Sequence, residues 1–195
     1  APRIAVDDMP ALLPYFATES LIGLVFGLIL RLMVFVLQIA GTIAAQSTSL
    51  SQIFGNAGVD PLPAMGHVLV IAGLALAAMA DLHVHVASAL IATYDLFPPG
   101  TLMPSGRLAD FGVDRIARCF ALGFTLAAPF VLGAVVYNLA LGAINKAMPQ
   151  LMVAFVGAPA ITAGGLALLA LVAPSLLQVW LAALQATLAA PFGAP

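Results

Sequence analysis

Charge is what this sequence has least of. Only 7% of its 195 residues are Asp, Glu, Lys or Arg, and six basic against eight acidic residues leave a net charge of −2. Soluble domains carry about a quarter of their residues charged, so a water-soluble fold of this length could not cover its surface. The near-neutral balance also excludes the basic patch that nucleic-acid binding needs. Cys119 is the single cysteine, which excludes an internal disulfide framework and a thiolate metal cluster. With no histidine partner in sequence, it reads as a buried, inert thiol. Also missing are a phosphate-binding lysine loop, a GxSxG elbow, HExxH and CxxC. The eight carboxylates form no convincing pair, so neither an enzyme nor a cofactor site is expected. No basic leader with a short apolar core opens the sequence, and no internal repeat of the transporter kind is visible.

What is present is apolar: 63% of residues are hydrophobic and the mean hydropathy is +1.14. The expectation is an all-α integral membrane protein. Residues 20–45 form a first run long enough to span, after a short interfacial helix starting near Pro10. Residues 66–94 form a second run, interrupted by Asp81, His83 and His85. On a helix the two histidines point to roughly opposite faces, so no shared metal is expected. Residues 116–143 form a third run, kinked at Pro129. Residues 151–188 are too long for one plain crossing. Gly157-Ala158-Pro159, Gly164-Gly165 and Pro174 predict a broken helix or a packed hairpin there.

Polar residues inside these runs are informative because lipid penalises them. A charge at mid-membrane costs about 2.5–3.5 kcal/mol even on lenient scales. Arg31 follows Gly23 and Gly27 at helical spacing, with Gln38, Gly41 and Ala45 close to the same stripe, so this face is expected to meet protein. Asp81 is a candidate partner for Arg31. Asn138, Gly142 and Asn145 share a face near the end of the third run, with Lys146, Pro149 and Gln150 beside them. They read as a packed contact, a pore mouth or a helix end among headgroups.

Residues 41–63 are the polar island of the chain, G-T-I-A-A-Q-S-T-S-L-S-Q-I-F-G-N-A-G-V-D-P-L-P, with Asp60 as its only charge. Many hydrogen-bonding groups with little charge suit a wet passage or a protein-lined cavity; an ordinary surface loop is the alternative. Residues 95–114 form the main hydrophilic loop, with a turn at Pro98-Pro99-Gly100. Arg107, Arg115 and Arg118 are half of all basic residues, which predicts a cytoplasmic loop and places the island on the other side.

Two stretches resemble a known family. A-G-T-I-A-A-Q-S-T-S-L-S-Q followed by D-P, and N-L-A-L-G-A-I-N-K-A-M-P-Q-L-M-V-A-F, are similar to FliR, the flagellar type III export-gate family, and to its injectisome relatives. The elements between them come in the family's order, and the resemblance covers nearly the whole chain. It departs at Thr48, where family members usually have glycine, and at Asp81-Leu82-His83, where they commonly have Gly-His. The resemblance implies one membrane domain over residues 1–195, built from broken helical hairpins and preceded in the family by an opening helical segment. It implies a non-enzymatic, pore-forming subunit of the export gate that passes unfolded substrates across the bacterial inner membrane at the flagellar basal body. Its partners would be FliP-like and FliQ-like gate subunits, a FlhB-like switch protein and membrane lipid. A loop closing the resting pore would carry Gln46, Ser47, Ser49, Ser51, Gln52, Phe54, Asp60 and Pro61. From the residues alone a second class stays open: a small-solute transporter with Arg31, Asp81 and Asn138 as mid-membrane ligands.

Overall fold

The computed structural model describes residues 9–49, 64–101, 104–148 and 153–193, and there the chain is five α-helices joined by short connections. They are α1 (Met9–Ser49), α2 (Ala64–Met79), α3 (Leu82–Leu96), α4 (Ser105–Ala147) and α5 (Val153–Ala189). No strand occurs among the described residues. α1, α4 and α5 are each long and apolar enough to cross a membrane, and α2 with α3, bent by 74°, make a fourth span if the pair is counted as one. At about 1.5 Å per residue, the 41 residues of α1 and 43 of α4 are each roughly 60 Å long. That is about twice the hydrocarbon core of a bilayer.

Several sequence expectations are corrected here. The short helix expected near Pro10 and the first span are one helix, with Pro14 inside it. The last stretch is neither broken nor a hairpin: α5 runs unbroken through Pro159 and Pro174. α4, where the sequence predicts a kink and not a break, is one helix across Pro129. A proline removes one backbone bond, but an apolar setting offers the chain no water as an alternative partner, so the remaining helical bonds are kept and the helix continues. The carbonyl that loses its helical N–H to Pro174 is that of Ala170, four residues earlier; the Ser175 hydroxyl goes to Val172 O, at 2.8 Å. The hydrophilic loop shrinks to the segment between Leu96 and Ser105, because residues 105–114 open α4. The break that does occur is the one between α2 and α3, at Ala80 and Asp81.

Pairwise contacts fix the directions. Cys119 donates its thiol to Leu32 O at 3.2 Å and Gly123 lies against Ile39, so α1 and α4 run parallel. Gly66 meets Gly41 and Gly73 meets Leu37, so α2 runs back along α1. Gly157 packs on Tyr137 and Leu141, and Arg115 donates to Ala190 O and Pro191 O at 3.1 Å, so α5 is antiparallel to α4. The centre of the bundle holds Val36, Leu37, Leu69, Phe130 and Trp180, all essentially inaccessible. The Trp180 indole donates to Met33 O at 2.7 Å, so its one polar atom is satisfied within the core.

Helices surrounded by lipid gain little from the hydrophobic effect on meeting one another; close van der Waals contact decides which faces pair. The tightest approach is between α1 and α2. A Cβ added to Gly41 would collide with the Gly66 backbone, and one added to Gly165 of α5 with the side chain of Thr48. The buried hydroxyls obey the same logic. Thr18, Ser47, Thr93 and Thr187 each donate to a carbonyl three or four residues earlier in their own helix, which satisfies them without water.

Candidate pore and subunit-contact surfaces

The residues expected to close a pore start inside α1. Residues 41–49 are its last two turns, not a loop. The helix persists through this polar stretch because its hydroxyls turn inward to their own backbone. Ser47, buried, donates to Ala44 O at 2.8 Å, and Thr48 donates to Ala45 O at 2.9 Å. The Thr48 methyl rests on Gly165, the close approach that anchors this end of α1 to α5. Gln46 points outward. Ser49 is the last helical residue. Ser51, Gln52, Phe54, Asp60 and Pro61 lie outside the described residues.

Gly23, Gly27 and Arg31 form an exposed stripe on α1, with open space where a Cβ would stand on either glycine. Arg31 is not paired with Asp81, the partner expected from the sequence. Its guanidinium lies 5.3 Å from the centre of the Phe35 ring, one turn along its own helix. The ion pair found among the described residues is Arg118 with Asp114, also one turn apart, at 2.8 Å. Gln38 continues the exposed face, but Gly41, expected on the same stripe, turns inward to Gly66. Gln38 also edges an apolar recess of about 470 Å³ lined by Leu32, Phe35, Ile39, Phe120 and Phe124 among others.

On α4, Asn138, Gly142, Asn145 and Lys146 are all exposed. Asn138 returns its amide to Ala134 O at 2.8 Å, and nothing approaches Gly142. Pro149 and Gln150 lie outside the described residues. The two polar faces are not brought together. Leu32 sits beside Cys119 in a parallel pair, so Arg31 and Asn138 are separated by roughly 30 Å along the axis. Arg31 and Asn138 therefore do not line one mid-membrane site. Broad apolar surface flanks both faces, with Leu24 and Leu139 each 70% exposed.

Sequence reasoning missed the contacts that organise one end of the bundle. Arg115 is a loop cation by its sequence context, yet it sits in α4 and reaches the last carbonyls of α5. Its guanidinium also lies 4.9 Å from the Phe111 ring centre. Phe192 stacks on Phe111 at 5.9 Å and meets Phe97 edge-on at 5.1 Å. The only sequence signal was an aromatic residue near the start or end of three separate elements.

Residues 2–187 match the bacterial export proteins, family 1. The chain is 35% identical over 164 residues to the flagellar biosynthetic protein FliR of Caulobacter vibrioides, covering 83% of this chain and 65% of that protein. It is 28% identical over 173 residues to FliR of Aquifex aeolicus, covering 88% and 67%. It is 27% identical over 185 residues to FliR of Escherichia coli, covering 89% and 69%. The chain thus spans about two thirds of the length of these curated relatives.

Proposed function

Because the chain belongs to the bacterial export proteins, family 1, we propose that it is a non-enzymatic, pore-forming subunit of the flagellar type III export gate in the bacterial inner membrane. The match over residues 2–187 carries this reading. Helix length supports it: helices about twice as long as the hydrocarbon core of a bilayer need neighbours other than lipid along part of their length. FliP-like and FliQ-like subunits supply those neighbours, and a FlhB-like protein adjoins them. Unfolded export substrates pass through the shared channel.

In this reading Gly23, Gly27, Arg31 and Gln38 meet one neighbour, and Asn138 to Gln150 meet another. The segment from Gln46 to Pro61 closes the resting channel. Its amides and hydroxyls fill a passage, and with Asp60 as its one charge it can move aside without breaking an ion-pair network.

Co-expression with FliP and FliQ from the same source, followed by native mass spectrometry in detergent, tests the assembly. A mixed particle containing this chain is expected; a stable particle of this chain alone, indifferent to those partners, overturns the reading. In the mixed particle, deletion of residues 50–59 is expected to raise ion conductance in planar bilayers, and an unchanged conductance removes the closing role. Gly27→Leu is expected to leave the fold intact, since a side chain there meets open space. Recovery of the mixed particle should fall about tenfold, equivalent to ~1.4 kcal/mol of lost contact. Undiminished recovery would take Gly27 off the interface.

A further inference from the structure

The break between α2 and α3 is made by a residue in an unusual backbone state. Asp81 has φ 56° and ψ 39°, the left-handed region, and among the described residues it is the one non-glycine with positive φ. Helices that end this way usually place glycine there. Sharp bends have identifiable causes, most often proline, glycine or a bulge. None is present at Met79-Ala80-Asp81-Leu82, so the 74° turn is carried by this one backbone. The Asp81 side chain makes no capping bond, and Asp81, His83 and His85 are all exposed. A strained residue that persists in a fold is a reason to look for motion there.

Past the break, the chain is lightly held. α3 buries only Ala89 and Thr93, whereas α2, nearly the same length, buries Met65, Gly66, Leu69, Gly73 and Ala77. Few buried contacts mark the segments that open first. The far end of α3, by contrast, is tied down. Phe97 meets Phe192 edge-on, Phe192 stacks on Phe111, and Arg115 holds the carbonyls of Ala190 and Pro191 just before Phe192. Beyond Phe97, Gly100 rests on the Tyr15 ring of α1.

We propose that α3 is a lever that pivots at Asp81 and is held by the Phe97–Phe192–Phe111 ring cluster as its catch. With the catch closed, α3 lies along the lower part of α5. With it open, α3 swings about Asp81 as far as the short segment joining it to α4 allows, while α1, α2, α4 and α5 keep their packing, because α3 adds only Ala89 to the buried core cluster, with Leu82 and Val86 packed against it. The device concerns the fold of this chain and goes beyond the export reading.

The test is pulsed electron–electron resonance on the full chain in lipid nanodiscs, in a Cys119→Ala background. Spin labels at Ile91 on α3 and Val179 on α5 report the lever. Labels at Leu28 on α1 and Phe124 on α4 report the remaining bundle; all four positions are exposed. The wild type is expected to give one narrow lever distance. Phe97→Ala is expected to add a second, longer population, with the bundle distance unchanged. Asp81→Gly added to Phe97→Ala should enlarge that population, because glycine moves freely between left- and right-handed backbone. Phe192→Ala is the substitute should Phe97→Ala fail to insert. An unchanged lever distance, or equal broadening of the bundle pair, overturns the lever. A second population that Asp81→Gly leaves unaltered overturns Asp81 as its pivot.

Discussion

Replacing Gly41 with leucine is expected to lower the thermal unfolding midpoint of the detergent-solubilised protein by roughly 10 °C. Even the first carbon of a side chain at Gly41 would fall on the backbone of Gly66, which has no rotamer to retreat into. The helices must separate, and with them the layer of Leu37, Leu69 and Gly73 that their approach brings together. Overpacking a dense core costs about 1–3 kcal/mol and sometimes more. In lipid the loss is mainly of dispersion contacts, because the separated faces exchange protein for acyl chains and not for water. For a chain of this length each kcal/mol moves the midpoint by about 2–4 °C. The same change at Gly27 meets open space and should leave the midpoint within about 2 °C. Equal midpoints for the two variants would mean that the α1–α2 contact does not organise the bundle.

The second large effect belongs to Trp180. Its ring is 1% exposed. Trp180→Ala should cost about 3–5 kcal/mol, the range for emptying a large aromatic site. Trp180→Phe keeps most of the volume and gives up the bond to Met33 O, worth about 1 kcal/mol. The expected order of midpoints is wild type, then Phe, then Ala well below. If Phe were as damaging as Ala, the indole bond rather than the packing would hold α5 to α1.

The positions of the helices were legible because lipid selects one property, apolarity, and the runs at residues 20–45, 66–94, 116–143 and 151–188 each fall mainly within α1, the α2–α3 pair, α4 and α5. Their ends were not legible. Hydropathy reports which solvent a residue tolerates, whereas helix ends are set by backbone bonds. Ser47 and Thr48 are polar and yet helical, because their hydroxyls serve their own carbonyls. Residues 105–114 are charged and yet helical, and Asp114 bonds Arg118 one turn on. The interruption at Asp81 was visible as a charge in an apolar run; its left-handed backbone was not, since aspartate is as common in ordinary turns.

The candidate site was half legible in the same way. Gly23, Gly27 and Arg31 share an exposed face, as their spacing requires. That Gly41 leaves this face for Gly66 depends on where α2 returns, which no local pattern encodes. Arg115 shows the limit most clearly. Its charge places it in a loop, but its partners lie 75 and 76 residues away in the chain.

The parallel pairing of α1 with α4 also sets an order of events during synthesis. The Leu32 carbonyl and the Cys119 thiol that meet across it are 87 residues apart. At the ~5–20 residues per second of translation, α1 waits roughly 4–17 s for the helix that covers its inner side. During that interval the groove around Leu32, Val36 and Ile39 has no partner of its own, and α2 arrives first. A chaperone or insertase that shields α1 until α4 emerges would therefore act on the nascent chain, before any subunit of an assembly can be chosen.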